Sequence, residues 1–220
     1  MPDSKKIPSS QLMLEQLSLI TVPDREDLLA HQTQDVFKLW MAWEAETGVE
    51  QDIPYWATVW PAARLMAKFI QIHPEIVVNK NVLDFGCGCG IPGIAALKAG
   101  AVRVLANDID PIALELAKQN AKANRYQLET LCLNMLDSPP PKEWEVMLIA
   151  DLFYDRTASL KLLQWLVLAR KQGSQVFIAD AGRPFSPKTD VEVLAEETFS
   201  TNLDLEGQSQ RRVRLLAFQP

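Results

Sequence analysis

The chain has 220 residues, which is enough for one α/β domain with a sizeable core and too few for two domains of ordinary size. Hydrophobic residues make up 48% and charged residues 23%, as is typical of soluble globular proteins. The net charge of -6 and the pI near 5.0 argue against nucleic acid as a partner. No apolar run approaches the roughly 20 residues of a membrane span, and the N-terminus has no signal-peptide core. We therefore expect a cytoplasmic protein with no membrane partner.

The first 60 residues predict an N-terminal helical extension with an aromatic cap, followed by a main domain over residues 61–220. Residues 11–22 fit a helix or a strand, and their periodicity leaves both open. From Asp24 to Trp43 the apolar residues recur at helical spacing, and Gly48 is a plausible stop. This pattern predicts one amphipathic helix outside the main domain.

Residues 52–60 (DIPYWATVW) concentrate three aromatic side chains just before a helix that we expect over residues 61–70. Pro61 fits the first position of that helix. The aromatic segment has two interpretations that the sequence supports about equally. It is either a hydrophobic plug over the sheet edge or a wall that faces a ligand. In the ligand-facing interpretation, Trp60 covers a cationic ligand, because aromatic rings attract cations. Tyr55 or Trp56 then lines a channel for a second substrate.

A glycine-rich turn follows the short apolar strand Asn81–Phe85 and opens a helix, which together form the start of a βαβ unit. Gly86, Gly88 and Gly90 permit positive φ and let a ligand approach the backbone. Asp84 is predicted at the carboxyl end of the strand. A carboxylate there suits a ligand with an ammonium group and repels a pyrophosphate.

The same turn contains the dinucleotide fingerprint GxGxxG at residues 88–93, so a nicotinamide dinucleotide is an alternative ligand. That register requires the strand to reach Cys87, which would place a charge and a glycine inside it. The register DxGxGxG at residues 84–90 avoids both, and it favours S-adenosylmethionine, which carries an ammonium and a sulfonium group. Cys87 and Cys89 lack the further ligands of a zinc site, so we expect no metal.

A second strand, over residues 102–107, leads to Asp108, whose carboxylate can accept hydrogen bonds from both hydroxyls of a ribose. Alternating strands and helices then predict a mostly parallel sheet, in which ligands bind at the carboxyl ends of the strands. Asp84, Asp108, Asp151 and Asp180 are all predicted at those ends, which favours a binding site. The further predicted elements are strands over residues 129–135, 145–150 and 175–179, helices over residues 111–123, 160–170 and 191–196, and a closing hairpin over residues 198–205 and 212–218.

With these motifs together, the chain resembles the seven-β-strand, Rossmann-like methyltransferases. More narrowly, it resembles the lysine methyltransferases that modify the electron-transfer flavoprotein β subunit and their bacterial relatives. The narrower resemblance rests on PYWATVWP (54–61), ANDIDPIA (106–113), DLFYD (151–155) and AFQP (217–220). It implies a seven-stranded, mostly parallel sheet of order 3-2-1-4-5-7-6 with helices on both faces. It also implies S-adenosylmethionine as the cofactor and a protein lysine as the methyl acceptor.

The resemblance and the residue types together assign candidate roles. Asp151 and Tyr154 are the predicted catalytic residues: Asp151 orients the acceptor ammonium, and Tyr154 accepts a hydrogen bond or offers its ring face. An ionised Asp151 would raise the pKa of the acceptor lysine, which favours an orienting role over a direct rate effect. The predicted cofactor contacts are Trp60, Asp84, Gly86, Gly88, Gly90, Asp108, Met135 and Ala150. The predicted substrate contacts are Tyr55, Trp56, Asp155 and Asp180.

Two departures from the family pattern leave the acceptor open. Relatives commonly have two glycines where this chain has Ala62 and Ala63, and a proline where it has Ala181. Both sites flank the predicted acceptor face. A small-molecule N-methyltransferase, acting on nicotinamide for instance, is therefore an alternative. A non-catalytic module that keeps the cofactor fold is a more distant one, because such a module has no need of the complete set of motifs.

Overall fold

The computed structural model describes residues 7–201 and 207–220. The helices are α1 (Ser10–Gln16), α2 (Val36–Thr47), α3 (Pro61–Ile72), α4 (Ile91–Lys98), α5 (Pro111–Ala123) and α6 (Arg156–Lys171). The strands are β1 (Ser18–Val22), β2 (Arg25–Gln32), β3 (Asn81–Phe85), β4 (Arg103–Asp108), β5 (Glu129–Cys132), β6 (Val146–Ala150), β7 (Gln175–Asp180), β8 (Val191–Ser200) and β9 (Gln210–Phe218). Short 3₁₀ turns lie at Tyr55–Ala57, Pro74–Ile76 and Met135–Asp137.

Strands β3 to β9 form one sheet in the order β5-β4-β3-β6-β7-β9-β8. Neighbours among β3 to β7 are parallel, and β9 runs antiparallel to both β7 and β8. Counted within this sheet alone, the strand order is 3-2-1-4-5-7-6. The arrangement confirms the predicted Rossmann-like α/β fold.

The central strands are buried on both faces, because helices cover both sides of a parallel sheet. Strand β6 shows this clearly. Its residues Val146 and Leu148 belong to a core cluster shared with α3, α4 and α5. The alternate residues Met147 and Ile149 belong to a second cluster with α6. This double burial explains why the strand reads as a continuous apolar run. No helix among the described residues has the length and apolar character needed to cross a membrane.

The N-terminal region is part strand, so the prediction of one long helix from Asp24 is wrong. Strand β2 takes the first half of that segment and pairs antiparallel with β1. The Asn124 side chain on α5 accepts a hydrogen bond from the Leu29 N–H (2.9 Å) and donates one to the Leu29 carbonyl (2.7 Å). Asn120 accepts from the His31 N–H (2.8 Å). These side chains, distant in sequence, satisfy backbone hydrogen-bonding groups at the edge of β2. Local periodicity does not reveal such partners.

Helix α2 itself starts and stops as its sequence indicates. Asp35 caps the N-terminus by accepting a hydrogen bond from the Lys38 N–H (2.9 Å), and Gly48 ends the helix with φ of 69°. Leu39 and Trp43 of α2 lie in the same core cluster as α3 and α4. Residues on both sides of the predicted domain boundary after residue 60 therefore share one core.

The predicted helix over residues 191–196 is also wrong, because this segment is the first half of β8. It pairs along its length with β9, so the sheet's backbone hydrogen bonds override its weak helical pattern. Positions 202–205 of the predicted hairpin lie outside the described residues. β3 and α5 have the predicted bounds, whereas the first hairpin strand, predicted from residue 198, begins at Val191. The other elements of the main domain agree within four residues.

Candidate active site

The glycine turn after β3 has the backbone shape that its sequence predicts. Gly86, Gly88 and Gly90 have φ of 64°, 52° and 79°. A Cβ added at Gly86 would lie 2.5 Å from Leu152 Cδ1, and one added at Gly90 would lie 2.8 Å from Ala117 Cβ. At Gly88 an added Cβ would have no neighbouring atom within 4 Å. Packing against α5 thus disfavours any side chain at Gly90, and a Cβ at Gly86 would require the Leu152 side chain to move, whereas Gly88 faces open space that a ligand can enter.

Asp108 lies beside this turn, because β4 pairs with β3 and ends at the same edge of the sheet. One of its carboxylate oxygens accepts a hydrogen bond from the Gly88 N–H (2.9 Å) and the other accepts one from the Asp110 N–H (3.0 Å). Burial raises the pKa of this carboxyl, although the backbone hydrogen bonds oppose the shift. The structure therefore brings together Gly88 and Asp108, two of the predicted cofactor contacts.

Asp84 lies at the carboxyl end of β3, as predicted, but its side chain is buried. It accepts a hydrogen bond from the Gly93 N–H (2.8 Å) in the first turn of α4. Burial raises its pKa to about 8, because a desolvated carboxylate is unfavourable. This geometry gives Asp84 a structural role beneath the turn in place of the predicted contact with a ligand's ammonium group.

Two exposed apolar side chains, which sequence reasoning missed, flank Asp108. Ile109 is 72% exposed and Leu133 is 51% exposed. The Leu133 N–H donates to the Asp108 carbonyl (3.2 Å), and Asn107 Nδ2 donates to the Leu133 carbonyl (2.8 Å). An apolar residue directly after a strand-end acid was the available signal. The predicted contact Met135 lies nearby in sequence but is buried in the second core cluster.

The aromatic segment divides into a core part and a surface part. Trp56 is buried and packs edge-on against Trp43, with ring centroids 6.1 Å apart, so its predicted contact with substrate is replaced by core packing. Tyr55 is 53% exposed, and its ring lies 5.8 Å from that of Trp60. Trp60 Nε1 donates to the Tyr55 carbonyl (2.7 Å), which fixes the two residues together. Trp56 therefore fits the packing interpretation of this segment, and the ligand-facing interpretation of Tyr55 and Trp60 stays a prediction.

The segment after β6 reaches the glycine turn, since the Leu152 side chain fills the space that a Cβ on Gly86 would need. Ala150 ends the strand and is partly buried. Tyr154 is 59% exposed. The pKa of its phenol is raised, first by partial burial and then by the charges of the surrounding ionisable groups, with Asp108 the largest of these. The Leu152 side chain against Gly86 brings this segment to the glycine turn, whose Gly88 is bonded to Asp108.

Asp151 is already engaged by a residue that sequence reasoning missed. Its backbone is left-handed, with φ of 61°, and it is only 9% exposed. Arg183 donates to both carboxylate oxygens, from Nε at 2.7 Å and from Nη2 at 2.5 Å. The predicted ammonium-binding carboxylate is thus paired within the chain. An arginine three residues after a strand-end acid, in the loop that follows β7, was the only signal.

The remaining predicted substrate contacts have local structural roles. Asp180 is buried and accepts hydrogen bonds from the N–H groups of Gly182 (2.8 Å) and Arg183 (3.2 Å). It therefore shapes the loop and does not reach the predicted acceptor face. Asp155 caps α6 by accepting from the Ala158 N–H (2.8 Å), and its side chain is exposed.

The two cysteines of the turn are buried. Burial raises the pKa of both thiols, that of Cys89 to about 12, so both stay protonated. Within the described residues, no group of three or more His, Cys, Asp or Glu side chains is placed to hold a metal ion.

Comparison with known proteins agrees with this geometry. The family model for ribosomal protein L11 methyltransferase (PrmA) matches residues 70–155. The electron transfer flavoprotein beta subunit lysine methyltransferases of Danio rerio and Homo sapiens are 42% and 36% identical to the chain, over 59% and 67% of its length. The chain covers 51% and 56% of these two relatives, or about half of their length.

A putative RNA methyltransferase from Pyrococcus horikoshii has a similar solved structure, with a TM-score of 0.53 and 16% identity. The match covers 72% of this chain and 84% of that one. At this identity the likeness concerns the fold alone. The sequence resemblance to the flavoprotein methyltransferases is confirmed by the two relatives.

Proposed function

We propose that the chain is an S-adenosylmethionine-dependent protein-lysine N-methyltransferase. One observation carries the proposal. The glycine turn, Asp108 and the segment from Asp151 to Tyr154 meet at one edge of the sheet, in a chain 42% identical to a relative named as such an enzyme. The combination matters because the fold by itself does not specify a reaction.

The residues at this edge fit the cofactor. The open space at Gly88 lets a ligand reach the backbone without meeting a Cβ. Asp108 presents two carboxylate oxygens that suit ribose hydroxyls, and the exposed side chains of Ile109 and Leu133 suit a flat apolar ring. When bound, S-adenosylmethionine supplies an activated methyl group. Trp60 and Ala150 are proposed as further contacts, as is Met135, although its side chain is buried in the second core cluster.

On the acceptor side, the protein must hold an uncharged amine in line with the methyl group, at about 3 to 3.5 Å. A lysine with its ordinary pKa of ~10.4 is protonated at neutral pH, so the site has to favour loss of that proton. Tyr154 is the exposed polar side chain best placed to accept a hydrogen bond from the amine. Tyr55 and Trp60, whose rings lie 5.8 Å apart, are proposed to form an aromatic wall of this site.

The open character of this face favours a protein segment over nicotinamide. Tyr55 and Tyr154 are 53% and 59% exposed, whereas a small neutral ring prefers an enclosed apolar pocket. Fewer carboxylates face the acceptor than the sequence indicated, because Asp180 is buried and Asp151 is paired. The preference for protein lysine therefore rests on exposure and on the relatives. We propose the electron-transfer flavoprotein β subunit as the first candidate substrate, in the cytoplasm.

The decisive experiment incubates the purified protein and S-adenosylmethionine with three acceptors in parallel: the flavoprotein β subunit, ribosomal protein L11 and nicotinamide. Mass spectrometry should detect added methyl groups on a lysine of the β subunit. Tyr154→Phe should slow the transfer about tenfold, as expected for one lost hydrogen bond, and leave cofactor affinity nearly unchanged. Tyr126→Phe, a tyrosine outside the site, is the matched control. Turnover of nicotinamide without protein methylation would refute the acceptor assignment.

A second measurement separates the remaining alternatives. Calorimetric titration with S-adenosylhomocysteine and with NAD tests the ligand directly. Binding of NAD without binding of S-adenosylhomocysteine would favour a dinucleotide-binding protein. Cofactor binding with no methylated product, in a lysate as well as with the three acceptors, would favour a non-catalytic module.

A further inference from the structure

The Arg183–Asp151 ion pair joins the loops that follow the adjacent strands β6 and β7. Both partners are held from elsewhere. The Arg183 N–H is bound by buried Asp180, and Asp151 has its N–H bonded to the Ala179 carbonyl (2.9 Å). Phe185 adds a second link between the loops by donating to the Phe153 carbonyl (3.3 Å). The side chains of Arg183 and Asp151 are 21% and 9% exposed. This is a fixed, bidentate pair, unlike the loose pairs common on protein surfaces.

The pair changes what Asp151 can do for an acceptor. A bare carboxylate beside the acceptor would bind it as an ammonium and raise its pKa, which would oppose attack on a methyl group. With a guanidinium bound to both oxygens, the negative charge of the carboxylate is compensated, so it holds an ammonium much less strongly. Arginine suits this task because its guanidinium stays charged throughout the working pH range.

We propose that Arg183 is a positioning residue for the proposed methyl transfer: it neutralises Asp151 and holds the 151–154 segment, so that the acceptor lysine reaches Tyr154 as an uncharged amine. The inference rests on the proposed function and adds a specific means of controlling the acceptor's charge. It also reverses the role predicted for Asp151, from binding an ammonium to forming a neutral pair.

Tyr154 reports the charge of this site without any turnover, because its phenol interacts with Asp151. In Arg183→Met the bare carboxylate should raise the Tyr154 pKa by roughly half a unit or more. In Asp151→Asn/Arg183→Met, which lacks both charges, the pKa should return to the native value or below. Ultraviolet difference titration of each variant against the same variant carrying Tyr154→Phe isolates this signal. The titratable groups that face the pair and Tyr154 are Tyr55, Asp108, Asp155 and Asp180.

Kinetics supply the second readout. Arg183→Met should lower kcat at neutral pH about tenfold and move the ascending limb of the pH–rate profile to higher pH, because the acceptor is held as an ammonium. Its KM for a basic acceptor should fall or stay constant. Arg183→Lys keeps the positive charge beside Asp151, so the ascending limb of its pH–rate profile should stay at the native pH. A merely structural role would lower kcat equally at all pH values, with no restoration in the double variant.

Two outcomes are decisive against the proposals. An unchanged Tyr154 pKa in folded Arg183→Met would overturn the inference, whatever the activity. If that variant does not fold, Asp151→Asn replaces it, where a lower Tyr154 pKa is required and an unchanged value overturns the inference. If the Tyr154 shift is present but the native protein methylates none of the acceptors, the proposed function is overturned, and the kinetic role of Arg183 falls with it.

Discussion

Substituting alanine for Gly88, Gly90 and Gly48 separately tests whether the glycine turn is built around a ligand. All three residues have positive φ, at 52°, 79° and 69°. They differ in what a new Cβ would meet. Gly48, at the end of α2, and Gly88 have no atom within 4 Å of that position. Gly90 faces Ala117, with its Cβ at 2.8 Å and its Cα at 3.3 Å. Both atoms belong to the rigid helix α5 and cannot rotate away.

The expected costs follow from these distances. An alanine in the left-handed region costs about 1–2 kcal/mol, and the smaller entropy of its unfolded chain offsets about 0.4–1 kcal/mol. Gly48→Ala and Gly88→Ala should therefore each lower the free energy of unfolding by about 1 kcal/mol or less. Gly90→Ala adds overpacking of about 1–3 kcal/mol, for a total of about 1–4 kcal/mol.

Urea unfolding at an unchanged m-value measures the stability of each variant, and calorimetric titration with S-adenosylhomocysteine measures binding. Gly88→Ala should weaken binding by about tenfold or more, since its methyl group enters the ligand's space, whereas Gly48→Ala should bind like the native protein. If Gly88→Ala also binds like the native protein, Gly88 does not face the ligand. If Gly90→Ala is as stable as Gly88→Ala, the packing argument is wrong.

Three further predictions concern the carboxylates and the aromatic segment. Because folding raises the pKa of Asp84 to about 8, the folded state holds that proton more tightly, and stability should fall as pH rises from about 4 to about 8. Asp84→Asn should flatten this dependence, by at most about 1.4 kcal/mol per pH unit in urea unfolding. Trp56→Ala should cost about 3–5 kcal/mol of stability and Tyr55→Ala less than about 1 kcal/mol; similar losses would contradict their different burial. Asp108→Ala should weaken binding of S-adenosylhomocysteine by about 1.5–3 kcal/mol in calorimetry, and unaltered affinity would remove Asp108 from the site.

The parts of the fold that the sequence predicted well are those with strong local signals. Helix α5 has the predicted bounds because Asp110 caps it, accepting from the Ile112 N–H at 2.9 Å, and Pro111 takes its first position. Strand β3 has the predicted bounds because Gly86, which has a positive φ, follows it directly. In both cases the residues that fix the boundary lie within the segment or directly beside it.

The errors occur where a distant partner decides the structure. Strand β2 is an edge strand whose N–H groups are satisfied by the side chains of Asn120 and Asn124, about 90 positions away in the chain. Strand β8 depends on pairing with β9. Neither partner is visible in the local periodicity, and both segments carry enough apolar residues at helical spacing to suggest a helix.

The site shows the same division between local and distant causes. The proposed cofactor side depends on residues close in sequence to the glycine turn and to the end of β4, and the structure places Gly88 and Asp108 in contact there. The acceptor side depends on burial and on pairing between loops, which spacing does not show. All four acids were predicted at the carboxyl edge, but Asp84 is buried, Asp180 shapes a loop and Asp151 is paired with Arg183.

This redistribution of charge alters the kind of acceptor chemistry that the edge supports. Four free carboxylates would attract a lysine strongly and hold it as an ammonium, which has no lone pair for attack. The structure instead leaves an exposed aromatic face around Tyr55 and Tyr154, with the nearest strand-end carboxylate neutralised by a guanidinium. Such a face suits the apolar stem of the proposed lysine acceptor and permits loss of its proton. In the proposed reaction, the features that weaken electrostatic attraction for the substrate are therefore those that favour methyl transfer.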